Sequence, residues 1–340
     1  MLFITKNKRY LSVMLWLALW VLMVGCIAPP PAAEQPAAPA LTTLRVTAFP
    51  YLSFAPLYIA DAEGFFAKEG IAVEFVRFQR NSESLPALLQ EEVDVDSIFT
   101  VGLLNAIASG ANARVVANKG LLQPDACPAD GFLARPALVD QLATMTPTAL
   151  QTLTFGVDPT WLDSYFLHQW LAERGLDLSQ IQTEYLPDPA ARAEALRQGA
   201  IDVAFFSEPW ITRAQESGAG QLWLPAAQII PGYSLGILSF GPTLLERTDD
   251  LGVRFLRAYL QGIAQYNQGK TPRNIEILSG VTQLEADLLQ RICWPSFAAD
   301  GQVDAEAISH YAAWANGRGL ADKALAPAEF WEPRFVDAAK

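Results

Sequence analysis

The chain has 340 residues, with 24 Lys and Arg against 36 Asp and Glu, 51% hydrophobic residues, 22 Gly and 23 Pro, enough apolar material for one large or two medium globular domains. That composition excludes a disordered chain and a collagen-like repeat. A net charge of -12 leaves no basic excess to neutralise phosphates, which argues against nucleic acid as a partner and against general adhesion to an anionic membrane surface.

The N-terminus reads as an address. Lys6, Lys8 and Arg9 precede an uncharged run over 11–24 that includes Trp16 and Trp20, short for a bilayer span and suited to the apolar region of a signal peptide. The run ends Leu22-Met23-Val24-Gly25-Cys26, which resembles the bacterial lipobox with Met23 in place of the usual Leu. The resemblance implies that residues 1–25 are a lipoprotein signal peptide and that Cys26, acylated by palmitate-type chains, becomes the new N-terminus. An ordinary signal peptide that happens to contain a cysteine is the alternative. Residues 26–42, with Pro29, Pro30, Pro31, Pro36 and Pro39 and no apolar periodicity, read as an extended tether.

Two cysteines remain. Outside the cytoplasm Cys127 and Cys293 are either bridged, closing a long loop for about 3 to 5 kcal/mol, or two buried free thiols. With His168 and His310, no two of the five Cys and His residues stand at a metal-ligand spacing, so neither a metal nor another cofactor is expected.

Strand-like and helical spacing alternate from residue 44. Strands are expected over 44–49, 71–78, 93–99 and 114–117, with helices over 56–68, 84–91 and 101–108 closed by Gly70 and Gly110. The stretch 120–147, with Pro124, Pro128, Gly131 and Pro136, breaks this rhythm and marks a crossing between lobes. A second series follows: strands over 153–157, 182–186 and 201–206, and helices over 161–174, 189–197 and from 209. After a strand over 233–240 the pattern is almost wholly helical, including 250–267 and 304–314. These elements predict an α/β protein of two lobes, 43–136 with 237–340 and 137–236, wrapped by C-terminal helices. A ligand cleft is expected between the lobes at the carboxyl ends of the strands.

Several segments carry a family resemblance over nearly the whole body. Pro56-Leu57-Tyr58-Ile59-Ala60 through Glu63-Gly64-Phe65-Phe66-Ala67-Lys68-Glu69-Gly70-Ile71 is followed by Asp94-Val95-Asp96, Gly110 and Arg114-Val115-Val116-Ala117. The second lobe adds Gly199-Ala200-Ile201-Asp202-Val203-Ala204 and Glu208-Pro209. In order and spacing they resemble the ABC-transporter solute-binding proteins related to the nitrate, sulfonate and thiamin-precursor receptors. The resemblance implies a type II-like periplasmic-binding-protein fold and a monomer tethered to the outer side of the cell membrane. It also implies an ABC permease as partner, and closure on a solute about the connections 129–140 and 231–238.

Receptors for sulfonate and nitrate in this family place hydroxyls and backbone N–H groups at the second-lobe helix N-terminus. Here that segment reads Gly156-Val157-Asp158-Pro159-Thr160-Trp161-Leu162-Asp163-Ser164. A carboxylate about 4 Å from a bound anion costs on the order of 4 kcal/mol at an effective dielectric near 20, more than one helix terminus returns. Asp158 and Asp163 therefore disfavour an anion, unless both are helix-capping residues that face away.

Aromatic residues crowd the expected strand ends: Tyr51, Phe54, Tyr58, Trp161, Trp210 and Tyr233. Tyr and Trp in loops offer a face for stacking and a polar tip, whereas Phe65, Phe66, Phe205 and Phe206 read as core. Thr100, Ser164 and Glu208 are candidates for hydrogen bonds to the solute; their alternatives are helix caps for Thr100 and Ser164 and an arginine partner for Glu208. The acidic turn and ring-lined loops resemble the vitamin receptors of the family. That resemblance ranks riboflavin first, a thiamin pyrimidine precursor second and a sulfonate- or nitrate-type anion after them. No nucleophile elbow, phosphate loop or dinucleotide fingerprint is present, and His168 falls inside a helix, so an enzyme is not expected. A lipid-anchored sensory domain on the same fold is the remaining alternative.

Overall fold

The computed structural model describes residues 40–78 and 80–340, of which Leu41–Lys340 pack as one unit. The signal peptide, Cys26 and most of the tether lie outside the described residues. In chain order the strands are β1 (Thr42–Thr47), β2 (Ile71–Val76), β3 (Val95–Asp96), β4 (Arg114–Asn118), β5 (Asp130–Ala134), β6 (Thr154–Gly156), β7 (Gln182–Glu184), β8 (Val203–Ser207), β9 (Gln221–Pro225) and β10 (Ile237–Phe240). Six helices matter below: α1 (Ala55–Ala62), α2 (Val101–Ala108), α3 (Leu162–Ala172), α4 (Pro189–Gln198), α5 (Leu251–Tyr266) and α6 (Ala305–Gly317).

The strands form two five-stranded sheets, ordered β2-β1-β3-β10-β4 and β7-β6-β8-β5-β9. In each, three parallel strands are followed by one antiparallel strand contributed across the crossing, β10 or β5, and then by β4 or β9, which runs in the direction of the first three. The helix expected over 56–68 is broken at Gly64, whose φ of 68° requires the left-handed region that glycine enters freely. Further along, α5 lies so close to α1 that a Cβ on Gly262 would run into the Pro56 carbonyl.

An aspartate holds each sheet at the start of its third parallel strand. Asp94 donates its N–H to the Arg45 carbonyl at 2.8 Å and accepts the Arg45 N–H on Oδ2 at 2.7 Å. In the second sheet Asp202 donates to the Thr154 carbonyl at 2.8 Å and accepts the Thr154 N–H at 2.9 Å. Both carboxylates are buried and both meet a guanidinium, Arg45 for Asp94 and Arg135 for Asp202. The repeated Asp-Val of the sequence is thus a two-point staple between strands.

Residues 130–134, assigned by the sequence to the first lobe, form β5 in the middle of the second sheet. The chain leaves the first sheet after Asn118 and returns at Ile237. The outgoing and returning segments pair as an antiparallel ribbon: Lys119 N–H to Gly236 O at 2.8 Å, Leu235 N–H to Gly120 O at 2.9 Å, Leu122 N–H to Tyr233 O at 2.9 Å. Residues 119–122 of this ribbon, rather than 129–140, are the outgoing half of the crossing. Tyr311 of α6 then bridges the lobes, its ring 5.6 Å from Phe99 beside the first sheet and 5.3 Å from Tyr165 on α3. Among the described residues no helix is long and apolar enough to cross a membrane.

Cys127 and Cys293 are bridged, with Cα atoms 5.3 Å apart at a sequence separation of 166. Closing a loop of that length removes about 5 kcal/mol of chain entropy from the unfolded state. The C127S/C293S variant is expected to lose about 3 to 5 kcal/mol of unfolding free energy in urea titrations, and wild type with reductant should behave like the variant. A loss below about 1 kcal/mol would show that the bridge does not constrain the unfolded chain.

Candidate ligand-binding cleft

The loops at the carboxyl ends of both sets of parallel strands build the site. In the first lobe the loop after β1 stacks Tyr51 on Phe49, ring centroids 6.1 Å apart and nearly parallel, with Phe54 edge-on below. Thr100 follows β3 and caps α2, its Oγ1 accepting the Leu103 N–H at 3.2 Å. Past β4 stands Lys119. In the second lobe the loops after β6, β7 and β8 present Asp158 to Trp161, Tyr185 and Glu208 to Trp210.

The turn before α3 has its donors occupied by its own carboxylates. Asp163 accepts the Asp158 N–H at 2.9 Å and the Ser164 N–H at 2.8 Å, and Asp158 accepts the Thr160 N–H at 2.8 Å and its hydroxyl at 2.7 Å. Asp158 thus closes its own turn and Asp163 answers one first-turn N–H of α3, whose N-cap residue Trp161 makes no side-chain capping bond. Burial lifts the Asp163 carboxyl to about 7, despite its two backbone donors. Asp130, buried beside Ser207 and Glu208, rises to about 6 for the same first reason. Arg192 of α4 is spent on carbonyls, Nε to Leu186 O at 2.9 Å and Nη1 to Phe205 O at 2.6 Å.

The residues predicted from sequence separate into two groups. Tyr51 is 60% exposed, and Trp161 and Trp210 are half-buried at the strand ends, Trp210 under the Arg213 guanidinium. Tyr58 and Tyr233 are core instead. The Tyr58 hydroxyl donates to the Phe49 carbonyl at 3.0 Å and its ring packs on Phe75. Tyr233 has no exposed surface and lies between Tyr165 and Phe166. Phe54 is buried as well, beneath Lys119. Ser164 is buried and donates to the Asp158 carbonyl at 2.6 Å.

Glu208 meets neither an arginine nor open cleft. It accepts from the Thr212 hydroxyl at 2.8 Å, the Thr212 N–H at 3.1 Å and the Cys293 N–H at 3.2 Å, tying the second lobe to the disulfide. The sequence reading missed Tyr185, which is 51% exposed just after β7. The one signal for it was a tyrosine closing an otherwise polar strand. Among the described residues no group of His, Cys, Asp and Glu is placed to hold a metal ion.

Two sheets of this order, joined by a paired crossing with loops converging from their strand ends, define a periplasmic-binding-protein fold. Residues 37–247 match the NMT1-like family, and the chain belongs to that family. In structure it is similar to the ligand-binding component of an ABC-type import system from Staphylococcus aureus, solved with zinc bound. The two share 16% identity and a TM-score of 0.70, over 88% of this chain and 99% of that one. It is similar also to the periplasmic aliphatic sulphonate binding protein of Escherichia coli, at 18% identity and TM-score 0.68, over 85% and 97%. A desulfurization enzyme, DSZB, shares the fold too, at 12% identity and TM-score 0.60, over 88% and 98%. None of the curated proteins compared with the chain matches it.

The raised Asp163 group sets a pH dependence. Between the ordinary carboxyl value of 3.8 and about 7 the folded protein keeps the Asp163 proton and the unfolded chain releases it. Raising pH through that window therefore costs stability, up to about 1.4 kcal/mol per pH unit. Asp130 and Asp96 act in the same direction up to about 6. Thermal melts of wild type are expected to fall from pH 5 to pH 7, and those of Asp163→Asn to fall less steeply. Equal slopes would mean that Asp163 is ionised in the folded protein.

Proposed function

We propose that the chain is the solute-binding component of an ABC-type importer, held outside the cell membrane by an acylated Cys26, which closes its two lobes on a planar heterocycle and delivers it to a permease. The observation that carries the choice of ligand is the exposure of two rings. Among the described residues the exposed large hydrophobic side chains are Leu41, Tyr51 and Tyr185. Two of these three are tyrosines at strand carboxyl ends, one per lobe, on the strands farther from the crossing. A ring system stacked between them buries about 200 Å² of apolar surface, worth about 5 kcal/mol, with about 1 more per aromatic pair. Riboflavin, with three fused rings and a hydroxylated chain, is the first choice and a thiamin pyrimidine the second.

A sulfonate is the other reading, supported by the name of the Escherichia coli relative. The donors already taken by Asp158 and Asp163 speak against it. The fold does not itself exclude catalysis, since DSZB shares it.

Flavin fluorescence, followed while the chain from residue 28 onward is titrated into riboflavin, tests the reading against a thiamin pyrimidine and taurine as competitors. Stoichiometric quenching that neither competitor reverses is expected. Displacement by taurine would establish the anion instead. Tyr51→Ala and Tyr185→Ala are each expected to weaken binding about tenfold without altering the melting temperature, as loss of one stacking wall requires. Affinity unchanged in both would remove the clamp. In cell fractionation, Cys26→Ser is expected to leave the membrane fraction, and retention there would refute the anchor.

A further inference from the structure

Lys119 is the first residue past β4, where the chain leaves the first sheet. Its side chain turns under the loop after β1, placing Nζ 3.8 Å from the centroid of the Phe54 ring and 3.5 Å from the Ser53 carbonyl oxygen. The residue is 5% exposed. An ammonium has three donors, and one carbonyl at the limit of hydrogen-bond length answers them poorly.

The carboxylate acting on Lys119, Asp96, is engaged elsewhere. It accepts the Ser97 N–H at 2.8 Å, the Ile98 N–H at 3.3 Å and the Ser84 hydroxyl at 3.3 Å. Two further buried hydroxyls on these strands, Thr47 Oγ1 at the end of β1 and Ser239 Oγ in β10 opposite Asp96, have no hydrogen-bond partner. A buried cation with unanswered donors opposes folding. Groups that lower stability in this way collect at binding sites, where a ligand completes them.

We propose that Lys119 is the residue that reads the solute: its ammonium donates to a ligand oxygen, either a ring carbonyl or a sulfonate oxygen, seated at the floor of the first lobe beside Phe54. The inference deepens the solute-binding reading and rests on it. It also orients the ligand. The oxygen-bearing edge faces Lys119 in the first lobe.

Lys119→Met keeps the length and apolar contact with Phe54 and removes the charge; Lys119→Gln keeps a donor. The full chain in detergent is assayed with riboflavin, taurine and a thiamin pyrimidine that lacks a ring carbonyl. For whichever oxygen-bearing probe binds, Lys119→Met is expected to weaken binding about 30-fold, as loss of a charged hydrogen bond does. Lys119→Gln should recover part of that loss, and neither variant should melt below wild type. Binding by Lys119→Met within about threefold of wild type, less than one hydrogen bond to a charged group provides, would overturn the proposal. So would tight binding of the carbonyl-free pyrimidine alone. If wild type binds none of the probes, the choice of ligands fails separately and melting decides: a higher melting temperature for Lys119→Met supports an uncompensated binding cation, and a lower one shows a structural cation held by Phe54.

Discussion

One contact recurs in both lobes and the rest of the molecule is arranged around it: an aspartate at the entry to a central strand, hydrogen-bonded both ways to the backbone of the neighbouring first strand. Asp94 does this with Arg45 and Asp202 with Thr154. A buried carboxylate is costly unless its lone pairs are filled, and here backbone N–H and guanidinium fill them in the same pattern twice. The staple fixes the register between the two strands. Their carboxyl ends then finish side by side, which brings the loops carrying Tyr51, Thr100 and Lys119 together in one lobe and Asp158, Tyr185 and Glu208 in the other.

The two faces so formed differ in charge. The second lobe contributes carboxylates that are engaged locally, Asp158 and Asp163 within their own turn and Glu208 with Thr212 and the Cys293 N–H. The first lobe contributes an ammonium and buried hydroxyls.

Much of the fold was legible because parallel α/β units punctuate themselves. Apolar strands, helical spacing and glycines such as Gly70, Gly110 and Gly199 marked the units, and the paired Asp-Val segments marked both lobes. β5 and β9 were not legible. β5 is antiparallel to both its neighbours and lies in a proline- and glycine-rich stretch, and β9, though it follows the short helix Trp210–Glu216, ends on Pro225. Neither has the rhythm that identified the others. The site was legible as a region but not residue by residue. Whether a ring such as Tyr58 points into the core or a ring such as Tyr185 points out depends on which face of its element is covered, and that is fixed by packing between distant segments. The cysteine pair shows the same limit: two thiols 166 positions apart meet only because the crossing ribbon and the C-terminal helices converge there.

That bridge also changes how the molecule tolerates cutting. Cys127 lies just before the second sheet and Cys293 well after the return to the first, so the covalent loop between them contains all of the second sheet and β10. A protease that cleaves once anywhere inside this loop leaves the two pieces joined through sulfur, each still packed against its partners. A single nick there is then an injury to the backbone and not to the assembly, and the lobes stay held to each other.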